Sequence, residues 1–181
     1  VSARSRLSTT DWAVLASLLD CEAHGFRIAA LLAPDGELGQ IWRVQRAQVY
    51  RAIERLLARG LIEAVRHEEG LAGPPRTLYQ ATPLGQSQAR EWLNQPVTRL
   101  RYGRSDLRLK LAFLLRLECS LKPLLQAQEA VYRQILRELE AQQPLQATGV
   151  QRVSLLWRLE MARASLRFVE QMQDPEDATH N

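Results

Sequence analysis

The chain has 181 residues, enough for one sound core or for two small modules. Apolar residues make up 46% and charged residues 24%, the balance of an ordinary folded protein, which excludes disorder as the default. The formal charge is only +4, yet 22 of the 24 cations are arginine, whose planar fork of donors fits phosphates and guanine edges as lysine does not.

The first predicted helix opens at Ser8, with Asp11 three residues on in a capping-box position. Trp12, Leu15, Ala16 and Leu19 then recur at helical spacing. A second helix is expected from about Phe26 to Leu32, ended by the turn at Pro34-Asp35-Gly36. The third, from about Arg46 to Arg59, carries the core stripe Val49, Ile53, Leu56 and Leu57, and Gly60 is placed to cap its end. Gln48, Arg51 and Arg55 project to the opposite face, with Arg59 at its edge. Between Arg43 and Arg66 six arginines face only Glu54 and Glu63, so the positive charge is local.

Leu61 to Arg66 reads as a strand, a loop follows through Glu68-Glu69-Gly70 to Gly73-Pro74-Pro75, and Thr77 to Ala81 reads as the return strand. Thr82-Pro83 is a strong helix start, and that helix runs to about Asn94 with Pro96 beyond it. Helix, helix, helix, hairpin, helix is the order of a winged helix-turn-helix.

Residues 94–104 read as a linker. Ser105 is expected to cap a helix from about Asp106 to Glu118, and Lys122-Pro123 to open a longer one ending near Pro144. The last helix, about Val150 to Gln173, carries Val153, Trp157, Met161, Ala164, Phe168 and Met172 at alternating four- and three-residue steps, a near-heptad seam. Leu155, Leu156, Leu159, Leu166 and Val169 lie outside the seam. One helix cannot hide that much apolar surface within a small module, so a second copy is the natural cover. The expected division is a winged helix at 1–95, a linker at 96–104 and a helical dimerisation region at 105–181.

No constellation for catalysis stands out. His24, His67 and His180 are scattered, and no HExxH, GxSxG, phosphate loop or dinucleotide fingerprint is present. An enzyme, a cofactor and a metal site are therefore not expected. Cys21 and Cys119 lack CxxC or metal spacing, as in a reducing cytosol. The most apolar run, Leu111 to Leu117, falls below the roughly 20 residues that span a bilayer. No signal peptide is visible, and the expected address is the cytoplasm, with no membrane partner.

An arginine-bearing helix after a short helix and a turn, followed by an arginine-ended hairpin, suits double-stranded DNA: arginine to guanine, glutamine to adenine. A solvated surface helix gives the same charge pattern, and winged helices also serve as protein-protein adaptors. The stretches Gly36-Glu37-Leu38-Gly39-Gln40-Ile41-Trp42-Arg43-Val44, Val49-Tyr50-Arg51-Ala52-Ile53-Glu54-Arg55-Leu56 and Gly60-Leu61-Ile62 resemble the PadR-type transcriptional regulators. So do His24-Gly25-Phe26, the wing run Gly73 to Tyr79, and Thr82-Pro83-Leu84-Gly85. Lys110 to Phe113 and the long last helix resemble the all-helical C-terminal region of the longer members.

That resemblance implies a homodimer acting on a pseudo-palindromic operator, more often as a repressor, and a response to small aromatic ligands that loosen the DNA complex. By position it puts Gln45, Arg46, Gln48, Tyr50, Arg51 and Arg55 on the recognition helix and Arg76 on the wing. The opening Gln45-Arg46-Ala47-Gln48 departs from the small or serine-rich start of many members, which removes a good N-cap and alters the base readers. The aromatic side chains Trp157, Phe168, Tyr132 and Phe113 read first as core and interface. A flat effector stacked on Trp92, with Phe113, Tyr132 and Trp157 as further lining, is the expected ligand pocket. A winged-helix adaptor, and a ligand sensor without specific DNA binding, are the alternatives.

Overall fold

The computed structural model describes residues 7–70, 73–143 and 146–173, and they fall into two compact units. The first comprises Val1–Leu93 with Arg108–Cys119, the second Asn94–Leu107 with Ser120–Asn181.

The first unit begins with α1 (Thr9–Ala16), β1 (Ala23–His24), α2 (Gly25–Leu31) and α3 (Arg46–Ala58). The predicted capping box of α1 is made: Ser8 Oγ accepts from the Asp11 amide at 3.2 Å, and Asp11 Oδ2 accepts from the Ser8 amide at 2.9 Å. Val14, Leu15, Ile28, Val49, Ile53 and Leu56 from the three helices are buried together as the core of the unit. At the end of α3, Gly60 adopts φ +65°, a left-handed conformation that costs other residues a clash at Cβ. Its amide donates to the Leu57 carbonyl at 2.9 Å and the Leu61 amide to the Leu56 carbonyl at 3.0 Å, a Schellman pair that turns the chain into the sheet.

β2 (Ile62–Gly70) and β3 (Gly73–Ala81) form the hairpin, pairing antiparallel from Ile62 with Ala81 to Gly70 with Gly73. The strands thus continue through residues expected as loop, because the register carries the ladder outward to Gly70 and Gly73. Leu71 and Ala72, within that expected loop, lie outside the described residues. The wing was expected to be two-stranded. The sheet has three strands in the order β1-β3-β2, because Ala23 pairs with Tyr79 and His24 with Leu78. Two residues are too short a run to show period-two alternation, so β1 left no pattern to read.

α4 (Pro83–Asn94) starts as predicted: Thr82 Oγ1 accepts from the Gly85 amide at 3.1 Å and donates to the Gly60 carbonyl at 2.7 Å. α6 (Arg108–Arg116) completes this unit, burying Leu109, Leu111, Phe113 and Leu114. Trp12 of α1 stacks on Trp92 of α4 at 5.4 Å and 6°, and Lys110 Nζ of α6 lies 5.0 Å from the Trp92 ring centre.

The expected boundaries change here. Residues 94–104 are not a bare linker: Leu100–Tyr102 form α5, which passes into a π-helical turn over Gly103–Leu107. Ser105 sits inside that turn and its hydroxyl donates to Asp106 Oδ1 at 3.2 Å, so it does not serve as the expected cap. Gln128 of α7 pins the segment, its amide group accepting from the Val97 N–H at 2.7 Å and donating to the Val97 carbonyl at 3.0 Å.

The second unit is dominated by α7 (Lys122–Ala141) and α8 (Gly149–Gln171). Pro144, the expected end of the former, and His180 lie outside the described residues. α8 turns Leu155, Leu159, Ala162, Leu166 and Val169 inward, and Leu155, Leu159 and Ala162 join Leu139 of α7 in one cluster. The seam residues Val153 and Trp157 are 71% and 68% exposed, Ala164, Phe168 and Met172 are exposed, and Met161 is half-buried. The two apolar sets of this helix therefore serve different surfaces. Among the described residues no helix is long and apolar enough to cross a membrane.

Candidate nucleic-acid interface

α3 has its apolar stripe buried at Val49, Ala52, Ile53 and Leu56, which leaves Gln45, Arg46, Gln48 and Arg51 on the exposed side. Arg51 has no hydrogen bond or ion pair among the described residues, so its guanidinium fork is available to a ligand. No serine or aspartate caps this helix. Gln48 does part of that work by reaching back, its Oε1 accepting from the Gln45 amide at 3.2 Å. One predicted base reader thus also holds the first turn of its own helix.

Arg46 and Tyr50 form a pair, the guanidinium carbon 5.7 Å from the ring centre. Tyr50 is half-buried, and its ring lies so close to the start of α2 that a Cβ on Gly25 would come within 2.9 Å of Cε1. Arg76 of β3 is exposed and lies over the Phe26 ring at 5.2 Å. His24 stacks on the same ring at 5.5 Å and 13°, and its Nδ1 donates to the Thr77 carbonyl at 3.2 Å. His24-Gly25-Phe26, which opens α2, carries no charge or periodicity that marks it for a role, and only its resemblance to the family singled it out.

Arg55 behaves differently from the expectation. Its Nε and Nη2 both donate to Asp11 Oδ1, at 2.9 and 2.6 Å, and Asp11 is buried. The other carboxylate oxygen accepts from the Ser8 amide and hydroxyl at 2.9 and 2.8 Å. Arg55 therefore neutralises a buried charge and ties α3 to α1, which leaves it fewer donors for a base or phosphate.

The four expected pocket residues are spread over both units. Trp92, buried against Trp12, and Phe113, fully buried on α6, belong to the first. Tyr132, fully buried on α7, and Trp157 belong to the second. A cavity of about 540 Å³ does open in the second unit, between the start of α5, α7 and α8, and of the four only Trp157 lines it. Its walls include Leu100, Ile135 and Met161, with Arg99 and Arg158 beside them. Among the described residues no group of three or more His, Cys, Asp or Glu side chains could hold a metal ion.

An arginine-faced helix beside a three-stranded wing is the arrangement of a DNA-reading winged helix, and comparison with protein families agrees: residues 14–91 match the transcriptional regulator PadR-like family. Those residues are a PadR-like domain. The family so described is one of transcriptional regulators. Among solved structures the chain is similar to Bacillus subtilis PadR in complex with operator DNA, with 20% identity, TM-score 0.48, and 91% of this chain and 97% of that one covered. It is similar to the same protein in complex with p-coumaric acid, with 20% identity, TM-score 0.43, and coverage of 91% and 96%. It is also similar to smu.1604c from Streptococcus mutans UA159, with 15% identity, TM-score 0.44, and coverage of 90% and 96%. No curated protein sequence matches the chain.

Proposed function

We propose that the chain is a homodimeric repressor of PadR type that binds a pseudo-palindromic operator and is released by a small aromatic ligand. The observation that carries the DNA part is the exposed Arg51, without a hydrogen bond or ion pair among the described residues, on a helix whose opposite face is buried in the PadR-like domain. α3 enters the major groove with Gln48 and Arg51 at base edges and Gln45, Arg46 and Tyr50 at the mouth of the groove. To read an adenine, Gln48 exchanges its bond to the Gln45 amide for the base. Arg76 on the wing contacts phosphate and holds register without reading sequence.

The exposed seam of α8 supports self-association, since Val153, Trp157 and Phe168 stand in one near-heptad row and all keep part of their apolar surface in solvent. The cavity beside Trp157 supports an effector, being of the size that takes a small ligand and having both an aromatic wall and arginines.

The test is selection of duplexes from a random pool, followed by titration of the winner and a scrambled duplex at physiological salt. The expected result is a two-fold symmetric motif bound at least about a thousandfold more tightly than scramble. Sequence-blind binding rejects the reading and favours a winged-helix adaptor.

A further inference from the structure

We infer that Phe26 is a positioning residue for DNA binding, its ring holding the Arg76 guanidinium in place at the wing while the His24–Gly25–Phe26 triplet ties the wing to the recognition helix. The inference rests on the DNA-binding reading above.

An aromatic ring 40% exposed at the first turn of a helix is poorly placed for a core role. Phe26 instead lies in a stack of three. Arg76 covers its ring at 5.2 Å, and His24 lies nearly parallel to it at 5.5 Å. His24 is itself fixed twice to β3, through the backbone pairing with Leu78 and through its ring bond to the Thr77 carbonyl. The ring under Arg76 is thus anchored to the very strand that carries Arg76. The neighbouring residue supplies the second link: Gly25 lacks a Cβ where the Tyr50 ring packs, and Tyr50 in turn carries Arg46. Phe26 thus stacks with the wing arginine, and its neighbour Gly25 lies against the tyrosine that carries an arginine of the recognition helix.

An arginine on an exposed strand ordinarily samples many rotamers and gives up that freedom when it meets a phosphate. A ring that already holds the guanidinium removes part of that cost before DNA arrives, and the attraction between cation and ring face fixes its plane. Phe26 then contributes to affinity through Arg76, without touching the DNA.

The test is a double-mutant cycle on the full chain, with the dissociation constant of the selected operator measured for the wild type, Phe26→Leu, Arg76→Ala and the double variant. Phe26→Tyr and Phe26→Trp provide rescue, and thermal melting is recorded for all. Phe26→Leu is expected to weaken binding about fivefold, the size of one ordered arginine side chain. In the Arg76→Ala background the same change is expected to weaken it less than about twofold, and the aromatic replacements to stay near wild type. Equal effects of Phe26→Leu in both backgrounds overturn the inference, as does wild-type affinity for Phe26→Leu or for Arg76→Ala. If the wild type itself fails to tell operator from scramble, the DNA reading falls and takes this inference with it. Discrimination by the wild type with an additive cycle removes the inference alone.

Discussion

Arg51 and Arg55 stand one turn apart on α3 and have the same side chain, yet their surroundings divide their roles. Arg51 projects from the helix with no hydrogen bond or ion pair among the described residues, whereas Arg55 supplies two donors to the buried carboxylate of Asp11. Removing Arg51 should therefore leave folding within about 0.5 kcal/mol of wild type, as for an ordinary surface change, and cost about 1–3 kcal/mol of operator binding with relaxed preference at one base pair. Removing Arg55 should do the reverse. A buried acceptor that loses charged donors costs about 1.5–3 kcal/mol, so Arg55→Ala should lower the denaturation midpoint without relaxing base preference. Urea titration and operator-variant binding of the two proteins check both halves; a matching loss of specificity in both would show that Arg55 also reads DNA. Arg76→Ala belongs to a third class. It should weaken operator and scrambled duplex alike and reduce the slope of log affinity against log salt by about one.

At the scale of elements, the π-helical turn at Gly103–Leu107 is the least regular piece of the second unit, and α7 shows what it fits against. Gly103 lies so near Tyr132 that a Cβ there would come within 2.5 Å of the phenolic oxygen, with the ring carbon Cζ next at 3.7 Å. The Tyr132 hydroxyl is itself buried without a hydrogen-bond partner among the described residues. An unmet buried hydroxyl is a standing cost, so Tyr132→Phe should stabilise the protein by about 1 kcal/mol. Gly103→Ala should be destabilising in the wild type and tolerated beside Phe at 132, because the clash is with the oxygen. Thermal melts of the four proteins of that cycle test the point. Burial also pushes the Tyr132 phenol up to about 12 from its ordinary 10. Below pH 10 the folded and unfolded chains both keep that proton. Between 10 and 12 the unfolded chain has released it and the folded chain has not, so stability falls as pH rises across this window. Urea midpoints of the wild type should drop over that range more steeply than those of Tyr132→Phe.

For the molecule as a whole, α8 carries the argument about assembly. Its inward row packs within the second unit, and its outward row of Val153, Trp157, Phe168 and Met172 remains in solvent. An exposed apolar row of that length along one helix marks a contact surface. Trp157→Glu should shift the species seen by light scattering from dimer to monomer, and operator affinity should fall with it because two half-sites are no longer engaged together. A wild-type protein that scatters as a monomer at all concentrations would remove the homodimer from the proposal. A Trp157→Glu protein that stays dimeric, with Val153→Glu and Phe168→Glu dimeric as well, would instead remove the α8 row as the seam of that dimer.

What the sequence determined by itself was whatever is written within a few residues: the Ser8–Asp11 box, the Gly60 turn, the Thr82-Pro83 start, the helical stripes, and so the order of elements in the winged helix. Such signals are local because helix caps and periodicity join residues three or four apart, and the same reasoning found both rows of α8. The extended ends of the hairpin and the extra strand β1 escaped it, since a two-residue strand has no period and exists only through its pairing with β3. Only the tertiary structure decided which cations are free and which are committed. Arg55 meets Asp11 across 44 residues, Gln128 meets Val97 across 31, and Arg76 on β3 meets Phe26 on α2. A polar side chain reveals its role by the partner that satisfies it, and no spacing along the chain names that partner.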